Sequence, residues 1–290
     1  MYNLRYHLVS LVAVFIALTL GLFLGSMVAE RGYLDEQQAG LVEGLQKDFD
    51  GLRATNDELR VAFERDRAFV NELSQLALDG ALAERHVVVL TNEGRSDGLA
   101  AVTGAIESAG GTVVTAMASE RAVGLEDPAL RTRLETVVAS ETIEAEGSLD
   151  AAVAVSLAAE WADTSPDEPV TALLVEEGVL DMRGHDPEVT TDGIVVLASW
   201  GGEPDAFACS VGGKVRDGGG AAVGVETTGN ETGVTEACSA LGLSAVDAVD
   251  LPQGTASVVW ILAGRAEGYF GVGDGAASLF PQVTAEEPVD

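Results

Sequence analysis

An uninterrupted apolar run near the N-terminus constrains this chain more than any other feature. The run Leu8–Ala29 (LVSLVAVFIALTLGLFLGSMVA) contains neither a charged residue nor a proline. About 20 apolar residues, at a rise of ~1.5 Å each, cross the ~30 Å hydrocarbon core of a bilayer. A cleaved signal peptide is the alternative, but its apolar core is typically ~7–15 residues long and ends in small residues. Because Met27 and Val28 stand before Glu30 here, the run predicts an uncleaved transmembrane anchor over 8–29.

The residues that flank this run bear on its orientation. Arg5 precedes the run and Arg31 follows it, so the charges counted by the positive-inside rule nearly balance. A short cytoplasmic tail, residues 1–7, is the simpler arrangement. We therefore expect a single-pass protein of the cell membrane with a cytoplasmic N-terminus and an extracytoplasmic C-terminal domain. Placement in the inner or the outer membrane stays open.

The charge of the chain excludes one class of partner. The formal net charge at pH 7 is −31, with 47 Asp and Glu against 16 Lys and Arg. A surface this acidic repels a phosphate backbone, so we expect no nucleic-acid binding. The charge fits a solubilising surface, which is the simpler interpretation, or a sink for cations.

A heptad pattern follows the apolar run and covers residues 33–78. Its a positions are Val42, Phe49, Phe63, Val70 and Ala77, and its d positions are Leu45, Leu52, Leu59 and Leu73. This spacing keeps one apolar stripe facing a partner helix, as in a coiled coil. The pattern predicts a coiled-coil stalk over 33–78. The alternative is a long helix that folds back on the globular domain.

Polar residues within the heptad favour one kind of pairing. Asn56 falls at an a position and Asp66 at a d position. A single buried Asn at a fixes the register and favours two parallel strands. Asp48 at g would lie opposite Arg53 at e′ of a second copy, with opposite charges. The heptad therefore predicts a parallel homodimer, the alternative being that Asn56 is simply exposed.

Beyond residue 80, short apolar runs alternate with amphipathic stretches. The runs predict strands over 85–91, 111–117, 193–199, 220–226 and 243–250. The stretches predict helices over Gly98–Ala109, Pro128–Val138, Leu149–Ala162, Val170–Gly178, Ala206–Arg216, Thr232–Leu241 and Thr255–Ala266. Continuous Val, Ala and Leu runs are typical of strands buried on both faces of a parallel sheet covered by helices. The predicted fold class is α/β, with a Rossmann-like or flavodoxin-like parallel-sheet domain over 81–283.

Few segments interrupt this domain. The proline-rich segment 164–169 and the glycine run 218–220 are predicted to be turns and not domain boundaries. Residues 284–290 have the composition of a frayed acidic tail.

The chain has two cysteines, Cys209 and Cys238, each in a helical pattern that follows a predicted strand. They do not form a CxxC pair. Both fit small apolar side chains buried in a core. Both also fit a disulfide formed in an oxidising compartment, and the sequence leaves these alternatives open.

The loop after the first predicted strand is the place where an α/β sheet of this kind would bind a ligand. It carries Asn92, Arg95, Ser96 and Asp97 in the sequence TNEGRSDG. Ser96 or Asp97 is expected to cap the following helix, because such residues commonly do so. An anion bound at that helix N-terminus is the alternative.

The sequence does not contain a complete motif for catalysis or cofactor binding. The run 212–215 (GGKV) lacks the Ser or Thr that follows lysine in a phosphate-binding loop. The glycines of 267–275 follow a predicted helix, whereas a dinucleotide fingerprint follows a strand. HExxH and GxSxG are absent, and the histidines are His7, His86 and His185. We therefore expect no enzyme, no catalytic residue and no cofactor.

Soft side chains that could hold copper or zinc are sparse. Met182 and His185 are three residues apart in DMRGHD and form the nearest thing to a cluster. Two ligands do not complete a site, which usually needs three or four. We expect this segment to be an exposed loop and assign no metal ligand.

Both ends of the chain resemble one family. The N-terminal block YNLRYHLVSLVAVFIALTLGLFLGS (2–26), followed directly by a heptad, is similar to the actinobacterial copper-transporter family typified by mycobacterial copper transport protein B. The closing segment VDLPQGTASVVWILAGRAEGYFGVGDGAASLFP (249–281) also resembles that family, with its Gly-Tyr-x-Gly block and final proline. The middle matches only as generic α/β.

The resemblance implies a cell-envelope protein of copper homeostasis or copper transport, which in mycobacteria is proposed to limit intracellular copper. Its partners would be the lipid bilayer, a second copy of the chain, and copper ions or another envelope protein. The alternative is a dimeric coiled-coil scaffold, or a ligand-binding protein, that has no metal role.

Overall fold

A computed structural model describes residues 4–29, 33–94, 97–119, 127–140, 148–162, 167–186, 188–197, 203–229 and 233–282. The chain divides into two compact units, Met1–Arg65 and Asp66–Asp290. The first contains only helix among its described residues, and the second contains the sheet.

Helix α1, Leu4–Ala29, begins the first unit. Its window Arg5–Val28 is long and apolar enough to cross a membrane, and none of that window is buried. A helix in a soluble core would bury side chains such as Leu18, Leu22 and Phe23, yet all three are exposed. An apolar surface all round the helix is what a lipid environment requires.

Helix α2, Tyr33–Leu78, begins in the first unit and ends in the second. The helix predicted over 33–78 is confirmed, while its pairing as a coiled coil stays a prediction. The apolar heptad residues of its first part are exposed by more than half of their surface: Val42, Leu45, Phe49, Leu52, Leu59 and Phe63. These a and d residues thus form an apolar stripe that nothing covers among the described residues of the first unit.

Among the described residues, seven strands form the sheet of the second unit. They are β1 His86–Asn92, β2 Thr112–Ala118, β3 Leu180–Arg183, β4 Gly193–Val196, β5 Ala221–Val225, β6 Ser244–Val246 and β7 Tyr269–Phe270. Their order across the sheet is β3-β2-β1-β4-β5-β6-β7. All neighbours pair in parallel except β2 and β3, which are antiparallel. The chain order reverses direction between β1 and β4, which marks a switch point in the sheet.

Seven further helices lie among the described residues and connect these strands. They are α3 Leu99–Ser108, α4 Pro128–Ser140, α5 Leu149–Ala162, α6 Pro169–Glu176, α7 Glu203–Asp217, α8 Val234–Ala240 and α9 Pro252–Leu262. Pro169 and Pro252 stand at the first helical position, where the missing N–H has no intrahelical partner to lose. Gly254 lets α9 approach the preceding turn, because a Cβ there would lie 1.9 Å from the carbonyl oxygen of Ala248.

Apolar side chains are buried on both faces of the sheet. Along β1, Val88 and Leu90 join one core, which includes Trp161, while Val87 and Val89 join the other. Successive strand residues point to opposite faces, so a strand covered on both sides must be apolar throughout. This explains why the strands read as continuous valine-rich runs.

The structure confirms most of the predicted elements and corrects a few. Strand β6 is shorter than predicted, since residues 247–250 form a turn. Strands β3 and β7 were not predicted. The turn at 218–220 is present, whereas parts of 164–169 and all of 284–290 lie outside the described residues.

Candidate functional site

The carboxyl ends of the parallel strands are where an open α/β sheet places its ligands. Among the described residues at this edge, Glu226 follows β5, and Asp247 and Asp250 follow β6. The loops after β1 and β4 reach the same edge, but Arg95, Ser96 and residues 198–202 lie outside the described residues.

Glu226 is nearly buried and serves the start of helix α8. Its Oε1 accepts the N–H of Val234 at 2.7 Å, and its Oε2 accepts the hydroxyl of Thr235 at 2.9 Å. The residue before the helix, Gly233, has φ 90° and no side chain to cap it. Glu226 therefore supplies the cap, because it accepts both an N–H and a hydroxyl of the first helical turn.

Asp247 is nearly buried and is held by the glycine-rich segment 267–275. Its Oδ1 accepts the N–H of Val272 and its Oδ2 accepts the N–H of Gly273, each at 2.7 Å. A Cβ on Gly271, which has φ 140°, would lie 1.8 Å from Asp247 Oδ1. The glycines thus cradle a carboxylate of the chain itself, in the manner in which such loops cradle phosphates.

Tyr269 interacts electrostatically with both of these carboxylates. Its hydroxyl donates to Thr235 Oγ1 at 3.4 Å. Burial raises the pKa of Tyr269; the hydrogen bond with Thr235 opposes this shift, and the carboxylates of Asp247 and Glu226 reinforce it. We call Glu226, Thr235, Asp247 and Tyr269 the acidic cluster.

Asp250 connects the same edge to helix α2. Its Oδ1 accepts the N–H of Thr228 at 2.7 Å, and its Oδ2 accepts the Thr228 hydroxyl. Arg67 Nη2 donates to the backbone oxygen of Asp250 at 3.0 Å. Burial opposes ionisation, but the hydrogen bonds from Thr228 and the charge of Arg67 outweigh it and lower the pKa of Asp250.

These carboxylates fit a structural role better than metal binding. Asp247 and Glu226 accept hydrogen bonds from backbone N–H groups, which leaves them poorly placed to take a cation. Across the described ranges, no group of three or more His, Cys, Asp or Glu side chains is positioned to hold a metal ion. Copper(I) in particular prefers thiolate and thioether ligands.

The segment with Met182 and His185 is not the exposed loop that the sequence predicts. Met182 lies in β3, opposite Ala116 of β2, and is half-buried. His185 Nε2 lies 2.7 Å from Oε2 of Glu168, and both side chains are largely buried. The sequence did not indicate this pair, because its members are 17 residues apart and meet only where α6 begins.

The cap expected after β1 is also corrected. The N-cap of α3 is Gly98, with φ 79° and no side-chain hydrogen bond, so Asp97 does not fill that role. Ser96 lies outside the described residues. A Cβ at Gly98 would lie 2.9 Å from Thr227 Cγ2, so close packing against the loop after β5 requires glycine there.

A cavity of about 640 Å³ opens at the opposite, amino-terminal edge of the sheet. Arg85 and Arg216 line it, together with the turns that follow α7, α8 and α9. Arg216 Nη1 donates to the backbone oxygen of Gly242 at 2.8 Å. Helix C-termini carry partial negative charge, which Arg216 offsets.

Cys209 of α7 and Cys238 of α8 form a disulfide and are fully buried. Of the two alternatives that the sequence leaves open, the structure therefore has the bonded one. Gly224 of β5 permits this packing, because a Cβ there would lie 2.6 Å from Cys238 Sγ.

The fold and its edges define a protein with an exposed apolar N-terminal helix and a mostly parallel α/β domain. The family model described as "Copper transport outer membrane protein, MctB" matches residues 1–281. The chain belongs to this family, as the resemblance of its two ends predicts. No curated protein and no solved structure matches it.

Proposed function

We propose that this protein acts in copper transport or copper homeostasis as a membrane-anchored component of the cell envelope. Membership of the copper transport family over residues 1–281 carries the proposal. Copper is then the cargo of the system. The exposed apolar helix α1 supports a single-pass anchor over 8–29.

The proposed topology places residues 1–7 in the cytoplasm and the α/β domain outside it. The disulfide between Cys209 and Cys238 supports this placement, because such bonds persist in oxidising compartments and are rare in the cytosol. We class the domain as Rossmann-like, since its strands β3-β2-β1-β4-β5-β6 follow the order of the doubly wound fold, with an antiparallel β3 as the departure.

We further propose that α2 pairs with α2 of a second copy as a parallel coiled coil. In the second unit, α2 turns Arg67, Asn71, Ser74 and Leu78 toward helices α3 and α9. These residues occupy e and b positions, whereas a and d residues of the first unit, such as Leu52 and Leu59, are exposed, as pairing with another helix requires. In α1, the small residues Ala13, Ala17, Gly21 and Gly25 recur every fourth position, and this also favours helix pairing within a membrane.

A dimeric envelope scaffold without a metal role is the second candidate. The open heptad stripe favours it, as does the scarcity of soft ligands among the described side chains. In this case the domain would bind another envelope component or a small ligand.

Copper accumulation after deletion of the gene distinguishes the two candidates. The copper proposal predicts that deletion raises cell-associated copper after a copper challenge, and that the full chain restored on a plasmid reverses the rise. Zinc content, measured in the same cells, is the control and should not change. Unchanged copper would contradict the copper role, and recovery of an envelope protein cross-linked to the full chain would then support the scaffold.

A further inference from the structure

An apolar groove of about 260 Å³ lies between the end of α2 and helix α9. Val70, Leu73 and Ala77 form its α2 side, and Trp260 and Phe280 form its other wall. The two aromatic rings meet edge to face, with centroids 5.3 Å apart. These three α2 residues occupy a and d positions of the heptad. The groove therefore lies along the continuation of the apolar stripe of α2.

The α2 residues beside the groove are unusually exposed for apolar side chains of a folded domain. Phe69 is 61% exposed and Leu76 is 79% exposed, and both occupy g positions of the heptad. Ser74, at an e position, lines the groove itself. The domain therefore covers the e side of α2 and leaves the g side bare.

We infer that Phe69 of a second copy fills this groove, so that the α/β domains take part in the dimer contact. The inference rests on the proposed parallel homodimer. In that arrangement a g residue lies beside the e′ residue five positions further along the other chain. The complementary pair Asp48 and Arg53 obeys this offset, and the same offset brings Phe69 beside Ser74 of the second copy.

The contact is symmetric. A two-fold axis along the paired helices gives each copy one Phe69 to donate and one groove to receive it. Each insertion covers an exposed aromatic ring and adds a third ring to the Trp260 and Phe280 pair. Aromatic side chains that fill apolar pockets are the residues that dominate protein interfaces. The domain thereby sets the register of the stalk at its C-terminal end.

Disulfide trapping between two tagged copies of the full chain in nanodiscs tests the inference. One copy carries Phe69→Cys, and the other carries Gln253→Cys on the groove wall. We expect a mixed-tag disulfide dimer under mild oxidation. The matched control replaces Phe69→Cys by Ala68→Cys, at the f position on the outer side of the pair, and should give no mixed dimer.

The mass of the protein in the nanodisc separates failure of the inference from failure of the dimer. A dimeric mass without the Phe69 cross-link, or with equal cross-linking from Ala68→Cys, overturns the groove contact and leaves the dimer standing. A monomeric mass at every concentration overturns both.

A second variant measures the strength of the contact without added thiols. Phe69→Ala should raise the dimer dissociation constant about 30-fold, because two buried aromatic contacts are lost at once. Ala68→Ser should leave it unchanged. Equal constants for the wild type and Phe69→Ala would contradict the inference.

Discussion

The two units of this chain treat apolar side chains in opposite ways. In the α/β domain, residues such as Trp161, Ile194 and Val223 are buried almost completely within the chain. In the first unit, leucines and phenylalanines of α1 and α2 remain exposed by roughly half or more. Leu52, for example, is 68% exposed.

The difference shows where each unit obtains its stability. The domain closes its own core on both faces of the sheet, so it contains the contacts that it needs. Isolated helices owe most of their stability to packing of an apolar face, and the packing partners that we propose are lipid for α1 and α2 of a second copy for α2. The following predictions separate the two cases.

The largest effect is expected from the core of the domain. Trp161→Ala removes a buried ring whose Nε1 donates to Thr171 at 3.1 Å, so it should lower the free energy of unfolding by about 3–5 kcal/mol. Urea unfolding followed by circular dichroism measures this for the full chain in detergent. Leu59→Ala, an exposed apolar truncation in α2, is the control and should change domain unfolding by less than about 0.5 kcal/mol. A similar loss of unfolding free energy in both variants would contradict the difference between the two units.

The disulfide should make the next largest contribution. Its cysteines are 29 residues apart, and a closed loop of that length stabilises a fold by about 3.6 kcal/mol in the chain-entropy model. The double variant Cys209→Ala and Cys238→Ala should unfold at correspondingly lower urea. Reduction of the wild type should reproduce the shift, while the double variant should not respond to reductant.

The two backbone hydrogen bonds to Asp247 should contribute less to the free energy of unfolding than the disulfide does. Asp247→Asn replaces a carboxylate oxygen that accepts a backbone N–H by an NH₂ group, which should cost about 1–3 kcal/mol. Asp274→Asn alters an exposed carboxylate in the same glycine-rich segment and serves as the matched control. If the two variants unfold alike, Asp247 does not anchor this segment.

The smallest effect concerns pH. Since the fold lowers the pKa of Asp250, its ionised form stabilises the domain above the ordinary carboxyl pKa near 4, and this contribution is lost as pH falls through the folded value. Asp250→Asn should therefore be less stable than the wild type at pH 7 and lose less on acidification to pH 3. Thermal unfolding across this range measures the difference. Parallel pH curves for the two proteins would refute the assignment.

Patterns of neighbouring residues in the sequence predicted most of the fold. The valine-rich runs located β1, β2, β4 and β5 because strands buried on both faces carry a continuous apolar pattern. Strand β3 (LDMR) was not predicted, because it is an edge strand whose charged residues interrupt an apolar pattern. Strand β7 was not predicted because it is only two residues long.

The edges of the sheet were less predictable, because their contacts join residues that are distant in sequence. Asp247 and Gly273 are 26 residues apart, and His185 and Glu168 are 17 apart. Nothing local in EGYFGVGDG indicates that its glycines hold a carboxylate. The pairing of Cys209 with Cys238 likewise needed the packing of α7 on α8.

The central claim is that the exposed stripe of α2 meets the same stripe of a second copy. Cysteine cross-linking of the full chain in native membranes tests it most directly, because the two native cysteines are already bonded to each other. Leu52→Cys, at a d position, should give a disulfide dimer under mild oxidation, whereas Ala54→Cys, at the outer f position, should not. Absence of the Leu52→Cys dimer, or equal cross-linking at both positions, would contradict the account.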